Sequence, residues 1–463
     1  MNNVRPLALS RNDVINEAFE GDLLGRLKLA KQITGYLERL KDGAVVAIDA
    51  PWGEGKSWFG RHWAKYLQTD YDHKVIFINA FEQDYVEDPF LLIAAEITNI
   101  IEEGETKKAF KENIIEVGKT LAPNLPQIAI NYIKRTVFEC NKDLLEDVED
   151  ITKIMAEKLI EKKLKDFAKE KNSFQNFKTK LGQFCKKQDR PVVIFIDELD
   201  RCRPTFAVQI IERIKHLFDV PNLVFVLLLN RTQLENAIQG VYGPNTDAAT
   251  YLRKFVNLFL RLPKLYSFDF YSENHPTTKY IANVLKCYKF ETSVAEGMGN
   301  HGVTEFDYFK DNYANNFKKY LTFCAIKMDM SLRDIEHACA LFVMANVINE
   351  QTGFIAYLIS MKIKEVDLYA RLLRNESQAH QDAAKRLDSW IDLEKLKEKE
   401  WPIIFFRVIQ ELHLYYANTT KPRNAEEYQY LSQYQNKIFD SVGYETLFQK
   451  VFDMIDLPIE LER

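Results

Sequence analysis

Residues 44–57, with the sequence AVVAIDAPWGEGKS, constrain the fold of this chain more than any other stretch. The apolar run over 44–48 predicts a buried strand, and the glycine-containing segment after it predicts a tight loop that opens a helix. Gly53 and Gly55 can adopt backbone angles that turn neighbouring amide groups toward one point. A helix N-terminus adds further unpaired amides and a partial positive charge, so the loop and the helix together predict a site for an anionic phosphate.

The two residues that close this stretch give the predicted site its chemistry. Lys56 is placed to reach the β- and γ-phosphates of a nucleotide, and the hydroxyl of Ser57 is placed to ligate Mg²⁺. Ala50 stands where such loops usually have a first glycine, and a small residue still fits there. The alternative is a glycine-rich strand-to-helix turn that happens to contain Lys-Ser. The candidate nucleotide-binding residues are Trp52, Gly53, Glu54, Gly55, Lys56, Ser57 and Trp58.

A second stretch, PVVIFIDELDRCRP over 191–204, supplies the acids that a nucleotide site needs. The apolar residues over 192–196 predict a strand buried on both faces of a sheet, and Asp197 and Glu198 follow it directly. An acid at the end of a strand beside a phosphate loop holds Mg²⁺ directly or through water, and the next acid is placed to polarise an attacking water. The alternative is a core strand that ends in a charged surface turn. Together the two stretches predict a protein that hydrolyses ATP or GTP, with Ser57 and Asp197 at the metal.

The same stretches resemble the KAP family of P-loop NTPases. Asp197 to Pro204 matches the family signature Asp-Asp/Glu-Leu-Asp-Arg-Cys-x-Pro, and Trp52 to Ser57 matches its Trp-Gly-x-Gly-Lys-Ser loop. Residues 74–84 resemble the family's strand ending in Phe-Asn-Ala-Trp, with phenylalanine in place of the tryptophan. The resemblance extends over roughly residues 20–340 through softer likenesses at 251–254 and 331–335.

This resemblance implies a three-layer α/β core with a parallel sheet, a helical insertion and an all-helical C-terminal domain, and it implies ATP as the nucleotide. A strand between the two nucleotide motifs, here over 75–80, is typical of NTPases that use a Glu or Asp base. The predicted domains are the first part of the NTPase core over 1–101, a helical insertion over 102–188, the second part of the core over 189–264, a lid-like helical subdomain over 265–340 and a helical C-terminal domain over 341–463.

Three further residues are assigned by comparison with related NTPases. Asn230 ends a predicted strand over 222–230, where a polar residue senses the γ-phosphate; the alternative is a plain asparagine at a strand end. Leu24 and Arg26 belong to an Asp-x-Leu-Gly-Arg start that lies near the nucleotide base in the family; the alternative is the beginning of an ordinary amphipathic helix.

Arginines after the second motif are candidates for phosphate contact. Arg253 lies in a predicted helix over 251–263 and could contact the phosphates of this subunit or a neighbouring one, as could Lys254 and Arg261. Such an arginine would supply the positive charge that speeds phosphoryl transfer. The alternative is an exposed structural role for each of these residues. Arg333 lies where related ATPases have a small helical lid and is the candidate lid arginine.

Charge and cysteine usage narrow the class of protein. The net charge of −5 makes no global case for a nucleic-acid partner, and six scattered cysteines without a Cys-x-x-Cys pair suggest reduced thiols in a cytoplasmic protein. The first residues lack the apolar core of a signal peptide, and no stretch approaches the roughly 18 apolar residues of a membrane span. The segment over 121–138 is interrupted by prolines and charges; a helix lying on a membrane surface is its alternative interpretation. His380 and His413 stand alone in the sequence and are interpreted as structural.

The predicted insertion is strongly charged. An acidic block over 143–150 precedes a lysine-rich segment over 153–190, in which phenylalanines recur at 167, 174, 177 and 184. Aromatic residues among lysines are typical of nucleic-acid contact, but they also occur in amphipathic helices with a lysine-rich solvated face. Both interpretations remain open from the sequence.

The sequence therefore predicts a Mg²⁺-dependent ATPase in which Lys56 binds phosphates, Ser57 and Asp197 serve the metal, and Glu198 activates water. Because nothing suggests a metabolite substrate, the first functional hypothesis is a nucleotide-gated switch or motor that assembles into a homo-oligomer. The resemblance points to bacterial defence in phage or plasmid conflict, together with protein partners. The alternatives are a nucleic-acid-dependent ATPase that uses the segment over 153–190, and a nucleotide-bound scaffold that does not hydrolyse.

Overall fold

The computed structural model describes residues 14–86, 89–101, 107–108, 174–217, 219–264, 275–288, 313–345, 351–391, 401–418 and 447–456. The described residues fall into two compact units, one within Val14–Pro263 and the other within Lys264–Arg463. The predicted surface segment over 121–138 and the acidic block over 143–150 lie outside the described residues.

A parallel five-stranded sheet forms the centre of the first unit. The strands are β1 (Ala44–Asp49), β2 (Val75–Asn79), β3 (Val192–Asp197), β4 (Leu223–Leu229) and β5 (Leu258–Arg261). Each strand is short and rich in branched apolar residues, which suits a sheet that is covered on both faces. The spatial order is β2-β3-β4-β1-β5, so β4 lies between the strand that leads into the phosphate loop and the strand that ends in Asp197.

Helices cover both faces of this sheet, because successive strand residues point to opposite sides. Val45 and Ala47 pack into one apolar cluster, whereas Val46 and Ile48 pack into another. The first cluster includes side chains of four helices within residues 89–242, and the second includes those of the two helices within residues 26–70. The three-layer core predicted from the sequence is confirmed. The helices of this unit are α1 (Arg26–Leu37), α2 (Lys56–Asp70), α3 (Pro89–Asn99), α4 (174–186), α5 (Pro204–Lys215), α6 (Arg231–Tyr242) and α7 (Ala248–Leu252).

The predicted helix over 251–263 is wrong. The helix α7 ends at Leu252, and the chain then forms β5, which pairs in parallel with β1. Asn257 fixes this register, since its backbone N–H donates to Val45 O at 2.9 Å and its Oδ1 accepts from the Val45 backbone N–H at 2.8 Å. The open edge of β1 offers hydrogen bonds to the apolar Leu-Phe-Leu segment, and this tertiary pairing outweighs the helical spacing of the sequence.

The described part of the lysine-rich segment is an amphipathic helix. Phe177 of α4 is fully buried and packs edge-on against Phe90 of α3, and Phe174 lies 4.8 Å from the same ring, centroid to centroid. Phe184 also packs against the core. These three phenylalanines therefore stabilise the core of the first unit and are not exposed for stacking on bases. Phe167 and the lysines before 174 lie outside the described residues.

The second unit is helical throughout its described ranges and has one large aromatic core. Residues on both sides of position 341 share this core, and the predicted boundary there remains a prediction. Within the described ranges, the structure contains no helix that is both long and apolar enough to cross a membrane. The helices are α8 (Pro276–Cys287), α9 (Tyr313–Lys327), α10 (Leu332–Ala345), α11 (Thr352–Lys364), α12 (Val366–Leu373), α13 (Ser377–Asp388), α14 (Trp401–Tyr416) and α15 (Leu447–Asp456).

The two histidines that stand alone in the sequence are partners in this core. Nδ1 of His380 lies 3.0 Å from Nδ1 of His413, and both residues are fully buried. Nε2 of His413 lies 3.1 Å from the hydroxyl of Tyr357, and Nε2 of His380 lies 3.1 Å from Oδ1 of Asn375. The histidines are structural, as the sequence predicts, but they act as a pair, which a separation of 33 positions hides.

Candidate nucleotide-binding site

The carboxyl ends of the strands bring the two sequence motifs to the same edge of the sheet. Asp49 at the end of β1 is in register with Leu229 of β4, and Asp197 at the end of β3 is in register with Asn79 of β2. Ligands of open α/β sheets bind at this edge. The phosphate loop and the acids of the second motif therefore lie on either side of the end of β4.

The loop after β1 has the backbone of an anion-binding turn. Gly53 and Gly55 have φ values of 84° and 74°, which side-chain-bearing residues rarely adopt. Lys56, the first residue of α2, is buried, and its Nζ donates to Ala50 O at 2.7 Å and to Pro51 O at 3.1 Å. Burial lowers the pKa of the Lys56 ammonium, while the nearby carboxylates of Asp200 and Asp197 raise it. The lysine is thus a desolvated cation among acids, at the start of the helix where the sequence predicted it.

Ser57 and Asp197 meet although 140 positions separate them in the chain. Burial raises the pKa of the Asp197 carboxyl to about 6, and the nearby Ser57 hydroxyl acts in the opposite direction. Oδ1 of Asp197 accepts the backbone N–H of Glu198 at 2.8 Å. Its buried Oδ2 has no hydrogen-bond partner within the part of the chain that the structure describes.

This donor set fits Mg²⁺. A hydroxyl and a buried carboxylate oxygen without a partner lie side by side, and oxygen ligands are those that Mg²⁺ prefers. No cluster of three or more His, Cys, Asp or Glu suited to a metal occurs in the described ranges. An ion at Ser57 and Asp197 would complete its shell with phosphate and water. Ser57 and Asp197 would hold the cation, which would neutralise phosphate charge.

Glu198 has a constrained position at the end of the same strand. Its backbone is left-handed, with φ 58° and ψ 25°, and it begins a short 3₁₀ turn over Leu199–Arg201. Its carboxylate lies 2.9 Å from the guanidinium of Arg201, and both side chains are partly exposed. A left-handed non-glycine residue is uncommon and clusters at functional sites. The geometry holds a carboxylate one residue beyond the candidate metal ligand, where a water-orienting group is needed.

The turn after β3 is linked directly to the phosphate loop. The indole Nε1–H of Trp52, a half-exposed residue of that loop, donates to Oδ2 of Asp200. The thiol of Cys202 lies 3.6 Å from Glu198 O, and burial raises its pKa to about 12. The Asp-Arg-Cys part of the motif therefore connects this turn to the phosphate loop and stabilises the turn itself. The raised pKa keeps the cysteine protonated, so it is not a reactive thiolate.

Arg26 contacts the phosphate loop, whereas the family resemblance implied a position near the nucleotide base. Its guanidinium donates to the backbone carbonyls of Glu54 at 2.7 Å and Gly55 at 3.0 Å. Leu24 is half-buried in the turn before α1. The sequence pattern pointed to the site but not to this contact, because nothing in an Asp-x-Leu-Gly-Arg segment specifies a partner 28 positions away.

Trp58 belongs to an aromatic group on α2. Its ring lies 4.1 Å from that of His62 and 5.8 Å from that of Phe19, centroid to centroid. His62 Nδ1 accepts the backbone N–H of Phe19 at 2.8 Å. This group joins the chain before α1 to the helix that carries Lys56. His62 and Phe19 were not among the residues singled out from the sequence.

The remaining candidates are more dispersed. Asn230 caps α6, since its Oδ1 accepts the backbone N–H of Gln233 at 3.4 Å, and it follows β4 at the edge where the motifs meet. Arg253 is exposed just after α7 in the first unit. Arg333 is exposed in the first turn of α10, in the second unit. Asp49, which the sequence analysis missed, accepts the backbone N–H of Arg231 at 2.9 Å through Oδ1 and so ties β1 to α6.

A parallel sheet with a glycine-rich loop, a lysine and a serine after one strand, and a buried acid after another, defines the class of P-loop NTPases. A family model described as the KAP family P-loop domain matches residues 26–345. The chain belongs to the KAP family of P-loop NTPases.

Two other comparisons are far weaker. An 85-residue stretch is 25% identical to the Phage T7 exclusion protein of Escherichia coli (strain K12), covering 18% of this chain and 11% of that protein. Among solved structures, the ORC2 protein of Aeropyrum pernix in its ADPNP-ADP complexes aligns with 10% identity and a TM-score of 0.33, and Cdc6p of Pyrobaculum aerophilum with 11% identity and a TM-score of 0.37. Each structural alignment covers 97% of both chains. Scores this low do not establish a shared fold.

Proposed function

We propose that the chain hydrolyses ATP with Mg²⁺ at the edge of the sheet where the two motifs meet. The observation that carries this proposal is the contact of Ser57 with Asp197, whose buried Oδ2 lacks a partner among the described residues. A buried carboxylate oxygen is costly unless it is hydrogen-bonded or bound to a cation. A site that keeps such an oxygen beside a phosphate loop is suited to a metal-bound nucleotide.

Different residues of the chain bind the phosphates, activate water and position the loop. Lys56 leaves the carbonyls of Ala50 and Pro51 and binds the β- and γ-phosphates, while the loop amides bind the same anion. Glu198 orients the attacking water and accepts its proton as the γ-phosphoryl group is transferred. Asp200 and Arg201 organise the turn: Asp200 through Trp52, and Arg201 through Glu198. Asn230, Arg253 and Arg333 are proposed to sense or stabilise the γ-phosphate, with the two arginines acting in this subunit or a neighbouring one.

Phosphate release from ATP tests this proposal. We expect Mg²⁺-dependent turnover by the wild type, loss of nucleotide binding with Lys56→Ala, and a loss of turnover by about 10²- to 10⁴-fold with Glu198→Gln and unchanged binding. Asp70→Asn is the control, because Asp70 is exposed at the last residue of α2, at the opposite end of that helix from Lys56. ATP binding without turnover by the wild type would instead support a non-hydrolysing scaffold.

The biological role that we propose is a nucleotide-gated switch or motor in bacterial defence, working with protein partners. Family membership and the short match to a phage exclusion protein support it. Wild type, Lys56→Ala and Glu198→Gln should be expressed in a bacterial host and challenged with phage T7. A plaque reduction that needs both residues supports the role; equal plaque numbers with all three proteins count against it.

Assembly is the other part of this role. We propose that ATP promotes a homo-oligomer in which an arginine of one subunit contacts the nucleotide of the next. The solution mass of Glu198→Gln should increase with ATP and Mg²⁺ and should return to the nucleotide-free value with ADP. Hydrolysis without any mass change would exclude an arginine supplied by a neighbouring subunit.

A further inference from the structure

We propose that Arg26 is a positioning residue that aims the amides of the phosphate loop at the nucleotide and makes no contact with the base. This inference rests on the proposed nucleotide binding and adds a residue outside both motifs. It assigns a physical role to the Asp-x-Leu-Gly-Arg segment before α1.

The contact of Arg26 with the phosphate loop has a defined geometry and is shielded from solvent. One terminal nitrogen of Arg26 donates to Glu54 O at 2.7 Å and the other to Gly55 O at 3.0 Å. Arg26 is only 4% exposed, so these charge-assisted hydrogen bonds form away from bulk water. A planar guanidinium can span two successive carbonyls, and an ammonium group cannot do so with the same geometry.

The carbonyls that Arg26 binds determine the direction of two amides. In a trans peptide the C=O and N–H groups point to opposite sides, and the described chain has no cis peptide bond. Glu54 O shares a peptide group with the N–H of Gly55, and Gly55 O shares one with the N–H of Lys56. Gly55 O also accepts the backbone N–H of Phe59 at 3.0 Å, so α2 shares in orienting the N–H of Lys56. By holding Glu54 O and supporting Gly55 O, Arg26 turns these two N–H groups toward the opposite side, where the loop surrounds its anion.

Arg26 is itself held in a rigid setting. Asp22 caps the start of α1, with Oδ2 accepting the backbone N–H of Leu27 at 2.8 Å and Oδ1 that of Leu24 at 3.3 Å. Further along α1, Thr34 Oγ1 accepts the indole N–H of Trp63 on α2 at 3.0 Å. Because α1 is fixed at its start and against α2, the guanidinium is pre-organised for the loop, which is how a positioning group reduces the cost of binding.

Lys56 is the other cation at the loop carbonyls, but its role differs. Its ammonium rests on Ala50 O and Pro51 O from a flexible stem and can transfer to the phosphates. Arg26 donates through its planar guanidinium to two other carbonyls of the loop, those of Glu54 and Gly55. It is therefore expected to keep the same bonds before and after the nucleotide binds.

The test compares Arg26→Gln and Arg26→Lys with wild type in equilibrium binding of ATP and GTP and in steady-state turnover. We expect Arg26→Gln to lower the affinity for ATP and the affinity for GTP by the same factor, about ten- to hundred-fold. Arg26→Lys should lower both affinities by an intermediate factor. KM should rise while kcat stays near the wild-type value, because the loop amides bind the phosphates before and during the reaction. Arg39→Gln, at an exposed arginine just after α1, is the matched control.

Each other result overturns the inference in a recognisable way. Unchanged affinity in Arg26→Gln excludes a positioning role. A changed ratio of ATP to GTP affinity indicates contact with the base. A lower kcat with unchanged KM and a lower thermal midpoint in both variants indicates a role in folding alone. If the wild type itself binds neither nucleotide, the proposed function fails as well, whereas the first three results leave it standing.

Discussion

At the residue scale, the site depends on charges placed where water cannot reach them. Lys56 is desolvated, and the Asp197 carboxyl has a pKa raised to about 6 by burial. The sequence indicated these residues because loop glycines and a strand-ending acid are local patterns. It could not indicate that Ser57 contacts Asp197 or that Arg26 binds loop carbonyls, because both contacts depend on the tertiary fold.

The first prediction concerns the cost of the buried acid. In the absence of nucleotide and metal, Asp197→Asn should increase the free energy of unfolding at pH 7.5 by about 1 kcal/mol or more, because it removes a buried charge whose desolvation outweighs its favourable contacts and keeps the Oδ1 acceptor. The same variant should lose the Mg²⁺ dependence of ATP binding. Chemical denaturation and binding titrations with and without Mg²⁺ measure the two effects.

Asp189→Asn is the control for this prediction, since Asp189 is exposed before the same strand. It should change the free energy of unfolding by less than about 0.5 kcal/mol. If Asp197→Asn is instead less stable than wild type without ligands, the carboxylate is already compensated by its protein neighbours and the metal argument loses its main support.

At the element scale, the four apolar runs formed strands at the expected places, because each is short and rich in branched residues, which favours a buried strand. The stretch over 251–263 was different. Its spacing suits a helix, but the open edge of β1 and the anchor at Asn257 make part of it a strand. Likewise, phenylalanines among lysines in α4 pack into the core, which only the position of α3 explains.

A second prediction tests how closely α2 packs on the sheet. A Cβ built at Gly60 would lie 2.1 Å from Cδ1 of Leu228 in β4, whereas a Cβ at Gly35 of α1 meets no atom of the described residues within 4 Å. Gly60→Ala should therefore destabilise the protein by about 1–3 kcal/mol. Gly35→Ala, also a change within a helix, should stabilise it by about 0.5–1 kcal/mol.

Urea denaturation of the two alanine variants measures this difference. Because α2 begins with Lys56 and Ser57, a shift of α2 away from β4 should also weaken ATP binding in Gly60→Ala but not in Gly35→Ala. Equal stability of the two variants would mean that Leu228 moves aside without cost and that α2 is not tightly fixed.

At the scale of the whole molecule, the second unit is built on an aromatic core with a buried polar chain inside it. When both imidazoles are neutral, each of the three hydrogen bonds in this chain has one donor and one acceptor. Tyr357 donates to His413, His413 donates to His380, and His380 donates to Asn375. Burial lowers the pKa of His380 to about 4, and it lowers the pKa of His413 well below its ordinary value. A sequence shows two isolated histidines, because only the packing of α13 on α14 brings them together.

The third prediction follows from these pKa values. The unfolded chain takes up protons near the ordinary histidine pKa of about 6.5, whereas folded His380 takes one up only near pH 4 and the pKa of folded His413 is also well below its ordinary value. Stability is therefore full above about pH 6.5 and falls as the pH drops toward 4, by up to about 1.4 kcal/mol per pH unit for each histidine.

Hydrogen exchange of amides in α13 and α14, corrected for the intrinsic effect of pH, measures this loss. His380→Asn removes one titrating group and should reduce the slope between pH 6.5 and 5. A slope that is the same in wild type and variant would mean that the pair is not the source of the acid sensitivity.

The most direct test of the ATPase assignment is the identity of the nucleotide that remains bound after incubation with ATP and Mg²⁺. Wild type and Glu198→Gln should be separated rapidly from free nucleotide, denatured, and analysed for ATP and ADP. We predict ADP on the wild type and ATP on Glu198→Gln, in equal amounts per chain. ATP on both proteins, or no nucleotide on either, would contradict the assignment.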